Sequence, residues 1–213
     1  MTQHLTLTSL PLFPLGTLLF PGGVLALRVF EVRYLDMVRK CQQAGAPFGV
    51  IGLRSGHEVQ RAGAPQEQFH GVGTLATIDH LQSTQPGLLT LQCHGSQRFH
   101  LTRRSLLPHG LWVADVELLA DDLPVPIPDD LAPIASTLAQ VLANLRQRDP
   151  SALAALAPTP AQLDDCGWVA NRWCELLPVP LEIKQQLMEL ENPLVRLELV
   201  GDVLERIGIA PQA

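Results

Sequence analysis

The sequence is poor in the residues on which several kinds of catalysis depend. It has only two lysines, Lys40 and Lys184, and neither follows a glycine, so the Gly-Lys step of a P-loop nucleotide site is absent. It also lacks the Gly-x-Ser-x-Gly elbow and the His-Glu-x-x-His pair. A Ser–Lys dyad would need one of the two lysines, and a solvated position on a helix explains both. We therefore predict a protein that is not an enzyme, with no catalytic residues and no cofactor.

Cysteines are also scarce, and no two of them form a Cys-x-x-Cys motif. Four cysteines are too few for a disulfide framework in 213 residues, so we expect reduced and mostly buried thiols. The N-terminus shows no signal peptide, and no apolar run reaches the roughly 18 residues of a membrane span. We expect a cytoplasmic protein without membrane segments. The cysteines are Cys41, Cys93, Cys166 and Cys174.

Histidines and paired carboxylates are present, but their spacing does not indicate a metal or acid–base site. None of the seven histidines pairs at i, i+4 or at finger-like spacing with cysteine, so we predict no metal site. Whether strand histidines such as His94 and His100 converge in space is left open. Cys93 and His94 are adjacent and should point to opposite faces of a strand. The pairs Asp129-Asp130 and Asp164-Asp165 begin predicted helices, where carboxylates favour the positive end of the helix dipole.

Basic charge and stacking aromatics are too few for a typical nucleic-acid surface. The net charge is −6 and there is one tyrosine. The first 120 residues hold nine Lys/Arg and seven Asp/Glu, whereas the remainder hold six and fourteen. Phosphate binding usually requires a clear basic excess, so the composition argues against nucleic acid as a partner.

The pattern up to residue 120 is typical of a β-rich domain. Short apolar runs are separated by turn signals such as Pro21-Gly22-Gly23. One helix interrupts them, with apolar residues from Val32 to Cys41 and Gly45 as its stop. The predicted strands are Leu5–Leu7, Val24–Phe30, Phe48–Leu53, Gly71–Ile78, Leu88–Cys93, Arg98–Leu101 and Leu111–Leu118.

The pattern after residue 120 predicts an extended linker followed by helices. In residues 121–128 proline occupies alternate positions towards the end, which favours an extended spacer. Residues 129–213 show the periodicity of helices. We expect a helix from Asp130 to Leu145, one from Thr159 to Leu177 opened by a capping box, one from Leu181 to Leu190, and one that Asn192-Pro193 caps and Gly208 stops. The fold class is therefore α+β, with a β domain over 1–120 and a helical bundle over 129–213.

Several segments resemble, in order, the N-terminal substrate-recognition domain of Lon protease. The opening residues 10–23 carry Leu-Pro-Leu-Phe-Pro-Leu and Leu-Phe-Pro-Gly, and residues 25–34 carry the pattern that ends Phe-Glu-x-Arg-Tyr. Further matches are Pro47–Val50, Gly71–Ala76, Gly95–Phe99 and Leu181–Glu189, followed by Arg196-Leu197. The resemblance spans about residues 8–207. Its implied fold is a PUA-like β pseudo-barrel followed by a helical bundle, and its implied form is a free-standing domain without the ATPase and protease modules.

The resemblance implies candidate binding residues as well as a fold. The apolar and charged residues of the opening motifs either anchor the core or contact a polypeptide. In the first case Glu31 favours the helix N-terminus and Arg33 pairs with a carboxylate of the β domain. In addition, helical spacing places Trp168 among polar residues, so it either docks within the protein or anchors a partner. The candidate partner-binding residues are Leu12, Phe13, Phe20, Glu31, Arg33, Tyr34 and Trp168.

The resulting functional hypothesis is a non-catalytic polypeptide-binding module with a role in protein quality control. Its partners would be unfolded segments or a partner protein, and a homo-oligomer is left open. The alternative is RNA binding, since PUA-like folds elsewhere bind RNA, and clustered arginines would support it. A third class, a small-molecule enzyme or sensor, lacks any catalytic constellation in the sequence.

Overall fold

The computed structural model describes residues 5–59, 66–148 and 157–209, and it groups the chain into two units. The first unit comprises Met1–Asp121 and Val179–Gln185, and the second comprises Asp122–Pro178 and Gln186–Ala213. The described part contains a six-stranded sheet and six helices, a mixed α and β architecture. The Pro-rich residues 123–128 are not helical, as expected. No helix in this part of the chain is long and apolar enough to cross a membrane.

The first unit is built on the sheet, with strand order β2-β5-β4-β3-β1-β6 and a further pairing between β5 and β6. The pairing of β6 with both β1 and β5 joins β5, β4, β3, β1 and β6 into a ring, and leaves β2 attached to β5 alone. The strands are β1 (Thr6–Leu15), β2 (Val24–Val29), β3 (Phe48–Ser55), β4 (Gln68–Gln85), β5 (Leu88–Leu106) and β6 (Trp112–Leu118). Helix α1 (Val32–Ala44) ends at Gly45, whose φ of 59° is the left-handed conformation expected of the stop.

Three strands were predicted too short. The predicted strands Leu88–Cys93 and Arg98–Leu101 are parts of the single strand β5, since the backbone stays extended through Gly95, and Gly71–Ile78 is only part of β4. The residues Leu12–Leu15, beyond the predicted strand Leu5–Leu7, lie in β1 and pair in parallel with β3. Proline does not prevent this, because its φ is compatible with an extended chain wherever its missing N–H is not required.

Alternation along β1 separates two apolar clusters. Leu10 and Leu12 belong to one cluster with Phe99 and Trp112. Phe13 and Leu15 belong to the other, and the apolar side of α1 packs there too. Successive side chains of a strand point to opposite faces, so a single strand contributes to both clusters.

The second unit contains the helices that follow the extended segment. They are α2 (Ala132–Arg148), α3 (Pro160–Leu163), α4 (Cys166–Leu176) and α6 (Pro193–Arg206), whereas α5 (Leu181–Glu189) runs from the first unit into the second. The predicted capping box of Thr159 with Gln162 is present, and Asn192 caps α6. The predicted single helix from Thr159 to Leu177 was wrong. It is interrupted at Asp164-Asp165, because the Asp165 carboxylate caps α4 and the backbone around Asp165 bonds to the extended segment.

All four cysteines are free and buried, which confirms the expected reduced and buried thiols. Burial raises the pKa of the Cys93 thiol to about 12 and that of Cys166 to about 11, and it also raises the pKa of Cys41. A thiol must be deprotonated to react, and these thiols stay protonated at neutral pH. Adjacent His94 is half-exposed and bonds Asp79 at 2.7 Å, so Cys93 and His94 diverge as predicted.

We therefore expect the native protein to be inert toward a disulfide-exchange reagent. At about pH 8, Ellman's reagent should label none of the four thiols within minutes, and all four after unfolding in guanidinium. The measurement is the absorbance of released thionitrobenzoate with and without denaturant. Rapid labelling of even one thiol in the native protein would show that its surroundings open to solvent.

Candidate functional site

The first unit has an apolar cavity beside β2, here called the β2 cavity. It is lined by Ala26–Glu31 together with Phe13, Leu15, Tyr34, Glu58 and Val59, and its volume is about 180 Å³. Six consecutive residues from β2 and the turn after it contribute, so the cavity follows the strand. Its lining combines aromatic and aliphatic side chains with the charged Arg28, Glu31 and Glu58.

Aromatic packing forms the floor of the β2 cavity. The rings of Phe13 and Tyr34 stack with centroids 4.1 Å apart and planes at 11°, and Phe48 packs against Phe13 at 6.2 Å. Aromatic pairs of this kind contribute about 0.5–1.5 kcal/mol beyond their buried area. Because β1 carries Phe13 and α1 carries Tyr34, the stack holds the start of α1 against the sheet.

Arg33 is buried and ties the start of α1 to distant parts of the same unit. Its Nη1 donates to the Gly110 carbonyl at 2.7 Å, and its guanidinium pairs with Glu31 at 3.2 Å and with Glu67 at 3.6 Å. The guanidinium carbon also lies 4.5 Å from the centre of the Tyr34 ring. The prediction that Arg33 pairs with a carboxylate of the β domain is thus confirmed. Glu31 is the N-cap residue of α1, but its side chain makes no capping hydrogen bond.

The electrostatics at Tyr34 follow from burial and from this charge cluster. Burial raises the pKa of the Tyr34 phenol well above its ordinary value. Arg33 opposes the rise, whereas the surrounding carboxylates, Glu31 first, add to it. The phenol is therefore neutral at any physiological pH.

The remaining candidates of the opening motifs lie in the interior. Leu12 and Phe20 are fully buried, and Phe13 and Tyr34 are nearly so. Only the Glu31 carboxylate is partly accessible. The structure thus brings Phe13, Glu31 and Tyr34 together at the β2 cavity, while Leu12 packs in the other apolar cluster. Whether any of these residues contacts a partner stays a prediction.

Trp168 lies in the second unit, on α4, and is half-buried. Its backbone N–H donates to the Asp165 carboxylate at 2.7 Å, and the Arg172 guanidinium carbon lies 5.8 Å from its ring centre. The helical spacing placed Arg172 on the polar, solvent-facing side of this helix. That prediction was wrong, because Arg172 is 1% exposed. The apolar stem and planar head of Arg172 are buried beside the indole of Trp168. The guanidinium pairs with Glu175 at 3.2 Å. The role of Trp168 as a partner anchor stays a prediction.

Sequence analysis missed the exposed apolar residues at the mouth of the β2 cavity. Phe30 is 55% exposed and Val59 is 43% exposed. Phe30 was predicted as the last residue of a strand, and the alternation that buries Val29 places Phe30 on the other side. The alternation of the strand was therefore the sequence feature from which the exposure of Phe30 could have been predicted. No comparable pattern marked Val59, because the segment around it is irregular.

Comparison with known proteins places this architecture in the class of protease substrate-binding domains. The family model of the ATP-dependent protease La (LON) substrate-binding domain matches residues 9–206. The chain therefore belongs to this family, which confirms the resemblance found in the sequence.

The individual relatives agree with this assignment. The chain is similar to a Lon protease from Anaeromyxobacter dehalogenans (strain 2CP-C), at 27% identity over 202 residues, which cover 92% of the chain and 23% of that protease. Among solved structures it is similar to a Lon N-terminal domain protein from Xanthomonas campestris, at 30% identity and a TM-score of 0.69, covering 91% and 97% of the two chains. The N-terminal domain of the Mycobacterium avium complex Lon protease has the same fold, at 16% identity and a TM-score of 0.58, covering 92% and 98%.

Proposed function

We propose that this protein is a non-catalytic module that binds unfolded polypeptide segments in the cytoplasm and acts in protein quality control. The observation that carries the proposal is the exposed apolar mouth of the β2 cavity. Phe30 and Val59 stand at its rim, above the aromatic floor of Phe13 and Tyr34. Clustered exposed apolar residues beside a cavity are typical of binding surfaces.

Membership in the substrate-binding family supports the same proposal, because the family's description names a domain that binds substrates of a protease. The chain corresponds to 23% of the length of the Lon protease it matches, so any shared task with a protease belongs to the proposal. We also propose that the ring of strands is a PUA-like pseudo-barrel and that the helices form a bundle.

The arginines do not support the alternative of RNA binding. Arg33 and Arg98 are buried, so neither can face a phosphate backbone. Arg104 lies over the rings of Phe69 and Trp112, at 4.6 and 5.4 Å from their centres. Arg104 remains exposed above those rings, but with Arg33 and Arg98 buried the first unit offers fewer accessible cations than its sequence suggested, and its phosphate affinity should be low.

Binding of a denatured protein tests the proposed function. Fluorescein-labelled α-lactalbumin, reduced and carboxymethylated so that it stays unfolded, should bind in an anisotropy titration, whereas the native labelled protein should not. Phe30→Ser should weaken binding about tenfold, because it removes an exposed aromatic anchor. The matched control is Leu123→Ser in the second unit, since Leu123 is 78% exposed and distant in sequence from the cavity.

Two outcomes would contradict the proposal. Equal affinity for the folded and unfolded forms would mean that exposed chain is not what the protein recognises. A labelled single-stranded RNA that binds more tightly than the unfolded protein, and loses most of its affinity between about 50 and 200 mM salt, would favour the RNA alternative.

A further inference from the structure

Strand β2 has one open edge. It pairs in antiparallel register with β5, from Val24 opposite His94 to Val29 opposite Leu89, and no other strand of the described residues pairs with it. The N–H of Gly95 donates to the Gly23 carbonyl at 2.8 Å, which fixes the alternation of the ladder. In such a ladder alternate residues bond to the partner strand and the residues between them face away. Leu25 and Leu27 therefore bond to β5, and the N–H and C=O groups of Ala26 and Arg28 face the open edge.

The β2 cavity lies along this same stretch of chain. Ala26 and Arg28, whose backbone faces outward, are exposed and line the cavity, and Phe30 and Val59 continue its apolar rim. A dry apolar cavity of about 150 Å³ accommodates a benzene-sized group. The β2 cavity, at about 180 Å³, therefore has room for one side chain of the size of leucine or phenylalanine.

The charged residues at the rim of the cavity restrict which residues of a bound polypeptide can lie next to that apolar side chain. Glu31 is neutralised by Arg33, which it shares with Glu67. Glu58 accepts the Gly16 N–H at 2.6 Å, and within the described residues it has no basic side chain paired with it. A carboxylate favours a cation in the part of the occupant that lies beside it, whereas Arg28, an exposed lining residue, favours an anion beside itself.

We infer that an extended polypeptide docks on the open edge of β2 as an additional strand, with one large apolar side chain in the β2 cavity and a lysine or arginine beside Glu58. Backbone hydrogen bonds to Ala26 and Arg28 supply affinity that does not depend on sequence, and the cavity and Glu58 supply a preference. This inference rests on the proposed function and specifies its mode.

Synthetic peptides test the mode directly. The parent probe is a fluorescein-labelled peptide of alternating threonine and serine with one central leucine and a lysine two positions away, on the same face of an extended chain. Replacing its leucine by alanine, or its lysine by glutamate, should weaken binding about tenfold each. N-methylation of a central amide keeps every side chain but removes a strand donor, and should weaken binding by a similar factor.

Protein variants test the open edge from the other side. Ala26→Pro removes the outward N–H without removing a bond to β5, since proline is tolerated at edge positions. It should weaken binding of the parent peptide about tenfold, whereas the control Leu123→Ser in the second unit, outside the cavity, should bind the peptide as the unaltered protein does. Glu58→Gln should abolish the preference for lysine over glutamate. Far-ultraviolet circular dichroism with a thermal melt reports whether each variant folds.

The outcomes separate the mode of binding from the function. Suppose that unfolded α-lactalbumin binds, that the Ala26→Pro protein binds the parent peptide as well as the unaltered protein does, and that the N-methylated peptide binds as well as the parent peptide. In that case polypeptides bind elsewhere on the protein and the β2 mode is wrong. If Ala26→Pro does not fold, the N-methylated peptide alone decides. If sedimentation shows a concentration-dependent dimer that Ala26→Pro abolishes, a second copy occupies the edge and the inference is overturned. If no unfolded polypeptide binds at all, the proposed function itself fails.

Discussion

Replacing Arg196 by methionine should destabilise the second unit by about 3–5 kcal/mol, the usual cost of removing one member of a buried ionic pair. Arg196 is 1% exposed, and its guanidinium has an acceptor for each of its five N–H donors. Nε donates to the Leu187 carbonyl at 3.0 Å, and the terminal nitrogens reach Asp122, Asn171 and the Leu190 carbonyl. Methionine fills the space but removes the guanidinium donor from each of these acceptors.

The measurement is a thermal and urea melt followed by circular dichroism and by tryptophan fluorescence. For a chain of this size, 1 kcal/mol corresponds to roughly 2–4 °C, so the Tm should fall by roughly 6–20 °C. Arg206→Met on the same helix is the matched control, because Arg206 is exposed in the last turn of α6 and its loss should cost less than about 0.5 kcal/mol. An Arg196→Met melt within the error of the control would contradict the prediction.

Two further variants separate charge from hydrogen bonding at this position. Arg196→Lys keeps the charge but offers three donors instead of five, so it should recover only part of the stability. Adding Asp122→Leu to Arg196→Met removes the carboxylate that has lost this arginine, and this should also recover part of the loss. The recovery stays incomplete because Asn171 and two carbonyls still lack their donor. Arg196 therefore holds the extended segment, α4, the end of α5 and α6 together within the second unit.

Local chemistry explains why much of this fold was predictable. Gly45 and the Thr159 capping box act over one turn of chain, and both elements were found where their residues indicated. Alternation identified β2, β3 and β6 within about one residue or two. The ordered motifs of the resemblance identified the family before any coordinates were considered.

The failures involve contacts between residues far apart in the chain. The break between α3 and α4 requires the extended segment to bond at Asp165, 40 positions from Val125. The burial of Arg172 and Arg196 could not be inferred from periodicity, which assigns charged residues to the solvent. For the site, three of the residues named from the sequence, Phe13, Glu31 and Tyr34, line the β2 cavity, and their contact with a partner stays a prediction. It could not identify the open edge, because an unpaired edge is a property of strand order and not of β2 itself.

Substituting Gly95 by alanine should have a large effect on the stability of the first unit. Gly95 joins two motifs of the resemblance, since its N–H donates to Gly23 and its carbonyl accepts the Gly22 N–H, each at 2.8 Å. A Cβ at this position would overlap the Phe20 carbonyl oxygen and lie 2.9 Å from Leu19 Cγ. Backbone cannot move aside as a side-chain tip can, so we expect a loss of at least about 1–3 kcal/mol.

The matched control is Gly71→Ala on β4, where the nearest atom to a Cβ is His100 Nε2 at 3.8 Å, an ordinary contact. Its melt should stay within about 1 kcal/mol of the unaltered protein, because alanine also reduces the entropy of the unfolded chain. A Gly95→Ala protein as stable as Gly71→Ala would show that the turn before β2 yields easily.

The Gly95 variant also connects stability to the proposed binding mode. Displacing Phe20 moves the turn from which β2 starts, and β2 is held to the sheet by β5 alone among the described strands. Even at a temperature where Gly95→Ala remains folded, its affinity for the leucine and lysine peptide should therefore fall, whereas that of Gly71→Ala should not. If both glycine variants bind the peptide equally well, the position of β2 does not govern binding, and the contact must lie on a part of the surface that this turn does not control.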